Sequence, residues 1–197
     1  MRWLLLVLAL LVGVLCGCGK HMMPYTYNPP ASNPPVIAPA HTISISVNDN
    51  RPYVISGEKP ANFAGIVRAG FGIPKDVITE RGVIFARMFK SDLETDLRNA
   101  GYTVLKTGGH RQIEVDVMEH NFDCYTSCRV WHELHVKIKD QSGAVLHEKV
   151  ISESQEVDRI PPYNGYAALR GYMPIIYTQM VQSAIRHDPE AMAALQK

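Results

Sequence analysis

The sequence predicts an α+β fold in which a mostly antiparallel sheet of four to five strands carries two main helices packed on one face. Residues 42–48 and most of 111–152 alternate apolar and polar side chains, which is typical of strands that bury one face. Between these regions, residues 85–100 show a helical period, and a second helical pattern begins near residue 167. We see no internal repeat, so the chain is expected to form one domain.

The first helix has the clearest pattern, because charged residues fill the face that its apolar residues leave free. Gly101 follows where a left-handed C-terminal cap is expected. Residues 53–80 are rich in Gly and Pro and predict a long ordered loop with room for one short strand. Pro174 either opens or kinks the second helix, and Asp188 and Pro189 together cap a last short turn.

Composition excludes one broad class of partner. The 197 residues include 20 Lys and Arg against 19 Asp and Glu, a net charge of +1. Such a chain has no large basic field to hold a phosphate backbone, so no nucleic acid is expected as a partner.

The first eighteen residues indicate an export signal and a lipid anchor. The apolar run 3–15 is too short to span about 30 Å of hydrocarbon and suits a secretory signal peptide. The sequence Leu-Cys-Gly-Cys at 15–18 resembles the bacterial lipoprotein signal, with Cys18 as the acylated residue. The alternative is a plain signal peptide with incidental cysteines. Gly19, where enteric bacteria place Asp for inner-membrane retention, favours the outer membrane, facing the periplasm.

These assignments divide the chain into three parts. Residues 1–17 are the signal peptide, residues 18–41 comprise the lipidated Cys18 and a Pro-rich tether, and residues 42–197 form a single periplasmic α+β domain. At about 3.1 Å per residue, an extended tether could hold the domain up to roughly 70 Å from the membrane.

The two remaining cysteines predict a disulfide across a hairpin tip. Cys124 and Cys128 lie in an expected oxidising compartment, where a disulfide is favoured over a two-ligand metal site. This pairing sets Phe122 opposite Val130 and His120 opposite His132. Further down the hairpin, apolar residues match one position out of that register, as Val117–Leu134, Val115–Val136 and Ile113–Ile138. One extra residue near Met118 and Glu119 reconciles the two registers and predicts a β-bulge.

The same register bears on metal binding and catalysis. His120 and His132 share a sheet face, whereas His132 and His135 do not, so only two imidazoles could meet and no metal site is predicted. No G-x-S-x-G, H-E-x-x-H, P-loop or G-x-G-x-x-G pattern in a suitable context is present. We therefore expect neither catalytic residues nor a cofactor.

The polar face of the hairpin is the candidate binding site. Alternation places Trp131 on the face opposite the apolar residues, beside Arg129, and Tyr125 lies in the tip. An outward Trp is the kind of anchor that is enriched at protein interfaces. We predict that Tyr125, Arg129 and Trp131 contact a partner. The alternative is that a loop, or the segment 53–80, covers Trp131.

Taken together, these features resemble the YajG-like family of bacterial lipoproteins. The resemblance rests on the lipid-anchor signal, the short Pro-rich lead, the opening strand at 43–49 and the helix that ends at 97–102, with strands and a terminal helix after it. The Cys124–Cys128 pair and the long segment 53–80 depart from that family's pattern. The resemblance implies a non-catalytic envelope lipoprotein that faces the periplasm.

Three functional hypotheses follow. The first is an adaptor or binding module, anchored in the outer membrane, that docks on another envelope protein or polymer. The second is a carrier of an apolar ligand, such as a lipid, between sheet and helices. The third is a cell-wall hydrolase, which would need an acid–base pair of carboxylates in a cleft.

Overall fold

The computed structural model describes residues 21–29, 42–68, 70–157 and 165–196. In these residues the strands are β1 His21–Met23, β2 Thr42–Asp49, β3 Phe63–Arg68, β4 Pro74–Thr79, β5 Thr103–Leu105, β6 Arg111–Cys124, β7 Cys128–Asp140 and β8 Val145–Val157. The helices are α1 Pro52–Ile55, α2 Phe85–Asn99, α3 Gly165–Ala184 and α4 Pro189–Gln196. Short 3₁₀ turns occupy Gly70–Gly72 and Glu80–Gly82. The signal peptide over 1–17 and Cys18 lie outside the described residues.

The long strand β6 organises the sheet. One of its edges pairs with antiparallel β7 along the whole strand, and β7 pairs in turn with antiparallel β8. The other edge of β6 is shared by two parallel strands, β2 against residues 111–117 and β3 against Asp123 and Cys124. Beyond β2 lies β5, whereas beyond β3 lie β4 and then β1. The sheet is therefore divided on one side of β6 and continuous on the other.

The predicted fold class was wrong in the number and direction of the strands and in the number of helices. The described residues form a mixed eight-stranded sheet with four helices, not a mostly antiparallel sheet of four to five strands with two main helices. Alternation of apolar residues reports which face is buried, but it does not report strand direction. The connection from β2 to the parallel strand β5 runs through α1, β3, β4 and α2, and a parallel pair requires such a crossover.

The segment 53–80 contains more regular structure than predicted. It forms α1, β3 and β4, and β3 and β4 extend the sheet beyond the end of β6. Gly65 explains why β3 contains a glycine, a residue that is uncommon in strands. A Cβ atom at this position would lie 2.5 Å from the ring of Phe122, so only glycine allows β3 to approach β6 so closely.

The hairpin register predicted from the two cysteines is confirmed. Cys124 faces Cys128 and the two form a disulfide. His120 faces His132, Val117 faces Leu134, and the register shifts between Val117 and Glu119, so the predicted β-bulge is present. Inward side chains of this hairpin are buried with residues of α2, α3 and α4 in one apolar core.

The N-terminal segment 21–29 differs from the tether predicted for 18–41, because it packs on the domain. Strand β1 pairs with β4, and the side chains of Met23 and Tyr25 are buried in the core. The Tyr27 hydroxyl donates a hydrogen bond to the buried carboxylate of Asp96, and the amide of Asn28 donates to Thr178 Oγ1 at 3.0 Å. The packed part of the chain thus includes residues well before Thr42.

Candidate interaction surface

The outward side chains of β6, β7 and β8, with those of the adjoining part of β2, form a surface that we call the open face. From Ile113 to Cys124 and from Cys128 to Ile138, inward residues are buried and outward residues are half-buried or exposed in alternation on either side of the bulge. The core that contains the helices lies on the inward side. The open face is therefore the polar side of a sheet that carries α2, α3 and α4 on the other side.

Trp131 lies on the open face, as predicted, and its side chain is half-buried. Its neighbours across the strands are Asn121 of β6 and Ser154 of β8, both uncharged. Within the described residues, Asn121 Oδ1 is buried without a hydrogen-bond partner. Strands β3 and β4 of the segment 53–80 continue the sheet, whereas Tyr53, at the start of the segment, donates a hydrogen bond to Glu119 in the row next to Trp131. The Trp131 row is thus an aromatic centre with an unused hydrogen-bond acceptor beside it.

The next two rows of the open face carry carboxylates. Glu119 and Glu133 are direct cross-strand partners, and Asp116 faces His135 in the following row. Like charges placed directly opposite each other destabilise a sheet. Each carboxylate accepts a hydrogen bond from a side chain without a permanent charge: from Tyr53 at 2.6 Å for Glu119, from His135 at 2.9 Å for Glu133, and from Asn48 at 2.8 Å for Asp116. These three residues form the acidic centre of the open face.

Ion pairs surround this acidic centre. Lys139 pairs with Glu114, Lys137 with Glu148 at 3.2 Å, Arg129 with Glu156 at 3.7 Å and Arg68 with Asp123 at 2.5 Å. In these pairs the charges compensate each other. Within the described residues, Asp116, Glu119 and Glu133 form no ion pair with Lys or Arg, although Lys137 interacts electrostatically with Asp116 and His135 contacts Glu133. The negative charge of the open face that no Lys or Arg pairs directly is therefore concentrated at its acidic centre, next to Trp131.

Tyr125 and Arg129, the other predicted contact residues, lie nearer to the hairpin tip. Tyr125 is exposed within the tip, and Arg129 is exposed on the same face of β7 as Trp131. The structure thus brings Arg129 and Trp131 together on the open face, whereas Tyr125 belongs to the end of the sheet. Whether any of the three contacts a partner stays a prediction.

The opposite, inward face of the hairpin holds the two facing histidines. The ring of His120 stacks on Phe85 with centroids 4.2 Å apart, and its Nε2 is 2.8 Å from the hydroxyl oxygen of Tyr25. Burial, together with the charge of Arg51, lowers the pKa of His120 well below its ordinary value. Burial also lowers the pKa of His132, against the opposing effect of Glu153. Both imidazoles are therefore neutral core side chains near pH 7.

The described residues contain no group of three or more His, Cys, Asp or Glu side chains able to hold a metal ion. A cavity of about 50 Å³ lies between β7, β8 and α3, lined among others by His132, Glu153 and Ile176. A more open hollow of about 230 Å³ lies against β2 and β6 and is lined in part by Ser44, Ser46 and Lys106. The cavity between sheet and helices has room for a few waters only.

Arg51 is a structurally important residue that the sequence analysis missed. Its guanidinium fills the gap between β2 and β3 beside β6, where it donates hydrogen bonds to both carboxylate oxygens of Asp49 at 2.7 Å. It also donates to the carbonyl oxygens of Phe63 at 2.8 Å and Ala61 at 3.1 Å. Burial alone would lower the pKa of Arg51, but the contact with Asp49 raises it above its ordinary value. The available signal was the Asp-x-Arg spacing directly after an alternating strand.

Comparison with known proteins shows the fold but not the family. No family model matches the chain, and no curated protein matches it. Protein XCC0632 from Xanthomonas campestris, assigned to DUF330, is similar with a TM-score of 0.54 and 12% identity, over 81% of this chain and 92% of that one. At this identity the likeness establishes a shared fold.

Bacterial lipoproteins also occur among the similar solved structures. A minor lipoprotein from Acinetobacter baumannii has a TM-score of 0.36 and 9% identity, covering 73% of this chain and 91% of that one. Lipoprotein GNA1162 from Neisseria meningitidis has a TM-score of 0.29 and 12% identity, covering 72% and 98%. In the part of the chain that the structure describes, no helix combines the length and apolar character needed to cross a membrane.

Proposed function

We propose that this chain is a non-catalytic lipoprotein, anchored through acyl chains on Cys18 to the outer membrane and facing the periplasm. In this proposal it is an adaptor that binds an envelope protein with a basic surface through its open face. The observation that carries the proposal is the open face itself, where Trp131 adjoins the acidic centre. The anchor is supported by the Leu-Cys-Gly-Cys sequence at 15–18 and by the resemblance to YajG-like lipoproteins.

The charge distribution favours a basic partner. Asp116, Glu119 and Glu133 accept side-chain hydrogen bonds from Asn48, Tyr53 and His135. Within the described residues none of the three carboxylates forms an ion pair with Lys or Arg, so a Lys or Arg of a partner would add positive charge there. Trp131 offers a ring face to the same cation and apolar area at the centre of the contact. Because the paired charges lie around this centre, they form the polar rim that interfaces commonly show.

Packing on the inward side weakens the carrier hypothesis. A pocket that encloses a small-molecule ligand usually measures about 300–1,000 Å³. The cavity between β7, β8 and α3 measures about 50 Å³, and it is lined by the core residues Val130 and Ile176 and by polar residues of β7, β8 and α3. An acyl chain would have to displace core side chains to enter there. The open face therefore supports adaptor function better than the inward side supports transport.

Site-specific photo-crosslinking in living cells tests the adaptor function. Benzoylphenylalanine at position 131 should give a covalent adduct with one partner protein, whereas the same residue at Tyr172, an exposed site on α3, should give none. Glu119→Gln and Glu133→Gln should each reduce the adduct up to about fivefold, because exposed charge pairs contribute about 1 kcal/mol or less. Equal adducts from positions 131 and 172 would exclude the open face as the binding site, and no effect of either substitution would contradict the role of the acidic centre.

Two further measurements test the other parts of the proposal. Membrane fractionation should recover the chain with the outer membrane and Cys18→Ser in the periplasm, and recovery with the inner membrane would contradict the proposed location. Purified protein incubated with peptidoglycan should release no soluble fragments. Release that persists after removal of each carboxylate on the open face would indicate contamination, whereas loss with Glu119→Gln or Glu133→Gln would reveal an enzyme.

A further inference from the structure

The turn between β3 and β4 exposes an aromatic residue completely. Phe71 is fully exposed and has a φ of 61°, a left-handed conformation that a bulky side chain rarely adopts. Ile73 is also exposed, and Gly72 has a φ of 76°. Within the described residues, this turn makes no apolar contact that would offset the cost of exposing an aromatic ring to water. Strain and exposure at one site indicate that the ring meets its environment outside the domain.

Strand directions place this turn at one end of the sheet. Because β3 is parallel to β6, the turn after Arg68 lies at the same end as the disulfide tip after Cys124. The bidentate contact between Arg68 and Asp123 joins the two tips. Tyr125, exposed in the second tip, therefore lies at the same end as Phe71 and Ile73. We call these three side chains the apolar end.

The start of β1 points the N-terminal chain toward the same end. Strand β1 is parallel to β4, and His21 faces Val77, three positions after Pro74. Cys18 precedes His21 by three residues, which span at most about 10 Å. Because the segment from His21 onward is packed on the domain, an acyl chain on Cys18 would hold this end of the sheet at the bilayer.

We propose that the apolar end is a second membrane contact, with Phe71 and Ile73 inserted at the bilayer interface beside the acyl chains of Cys18. This inference rests on the lipid anchor of the proposed function and adds an orientation to it. Exposed aromatic and apolar side chains on a tip enter the interface between headgroups and acyl chains, and Tyr is frequent at that depth. Lys75, exposed next to the turn, is placed to meet anionic headgroups.

Tryptophan scanning of the full chain tests this contact. Trp3 and Trp131 are replaced by Phe, so that each variant reports a single introduced tryptophan. Phe71→Trp is compared with Gln141→Trp, an exposed site in the turn between β7 and β8 at the opposite end of the sheet. Both are purified from membranes and reconstituted in vesicles of phosphatidylethanolamine and phosphatidylglycerol, with or without acyl-chain-brominated lipid.

Quenching by brominated lipid should lower the emission of Phe71→Trp at least roughly twofold and leave Gln141→Trp almost unchanged. Vesicles that float with the protein but quench neither tryptophan, or both equally, would overturn the inference and leave the lipid anchor intact. Failure of every variant to float, with an unmodified Cys18 in the intact mass, would overturn the anchor and the membrane contact together. Flotation and mass thus separate the failure of the anchor from the failure of the apolar end.

Discussion

Replacing Arg51 by Ala should be one of the most destabilising single substitutions in this protein. The substitution leaves the Asp49 carboxylate without its cation and leaves the carbonyl oxygens of Phe63 and Ala61 without their donor. Removing one partner of a buried ion pair costs about 3–5 kcal/mol, because the other charge stays buried and uncompensated. This loss is a large fraction of the 5–15 kcal/mol by which native domains are typically stable.

A matched pair of the same chemistry provides the control. Arg68 also binds an aspartate, Asp123, through two guanidinium nitrogens, but the side chains are 38% and 29% exposed, against 0% and 12% for Arg51 and Asp49. Exposed pairs contribute about 0–1 kcal/mol. We therefore expect Arg51→Ala to cost several times more than Arg68→Ala. Arg51→Lys should fall between them, because an ammonium group retains the charge but lacks the planar fork.

Urea unfolding and thermal unfolding, both followed by tryptophan fluorescence, measure the difference. The assay uses the mature chain with Cys18→Ser, which carries no acyl chains and needs no detergent. Arg51→Ala should lower the melting temperature by roughly 10 °C, since about 1 kcal/mol corresponds to 2–4 °C in a chain of this size. Equal losses for Arg51→Ala and Arg68→Ala, within about 0.5 kcal/mol, would refute the assignment of Arg51 as the buried group that joins β2 to β3.

The remaining predictions use the same unfolding assay. Gly65→Ala should lower the free energy of unfolding by about 1–3 kcal/mol, because its Cβ meets the Phe122 ring at 2.5 Å. Gly171→Ala, with open space around it in α3, should raise that free energy by up to about 1 kcal/mol. Losses of equal size for the two variants would contradict this. The free energy of unfolding should decrease as the pH falls below 6.5, by up to about 1.4 kcal/mol per pH unit from His120, because this residue binds a proton in the unfolded chain but stays neutral when buried. His120→Gln should reduce this pH dependence. Opening the tip disulfide with Cys124→Ser should cost about 2 kcal/mol, the value for a loop this short, and an unchanged unfolding midpoint would show that the bridge is dispensable.

Local patterns in the sequence were sufficient for the hairpin but not for the sheet. The cysteine spacing and the apolar alternation of β6 and β7 jointly specify the register, because slipping by one residue would expose every inward side chain. Helix α2 and its Gly101 cap were predictable for the same reason, since a helical period and a positive φ are local properties. Long-range pairing leaves no comparable local signal. Nothing in residues 42–49 indicates that β2 shares one edge of β6 with β3.

The N-terminal segment shows a second kind of failure. Prolines at positions 24, 29 and 30 dominate the composition and favoured a tether, yet Met23 and Tyr25 are core residues. Their burial depends on partners distant in sequence, namely Phe85, Tyr177 and His120, which surround the Tyr25 ring. Trp131 of the candidate surface, in contrast, was predicted because its signal is local. An outward Trp on an alternating strand is identified by its neighbours in sequence, whereas the acidic centre needed the register between strands.

The two proposed contacts constrain each other through the length of the strands. Trp131 follows Cys128 by three residues, so with a rise of about 3.3 Å per residue it lies about 10 Å from the apolar end. His135, in the row of Asp116, lies about 13 Å further along β7. With the apolar end at the bilayer, the strands of the open face would extend away from the membrane surface, and its acidic centre would lie within about 25 Å of the headgroups. A soluble partner would have to reach this site from the bulk periplasm, whereas a partner held at the same membrane would meet it by lateral diffusion. The geometry therefore favours a partner that is itself bound to the membrane and presents its basic side chains just above the bilayer.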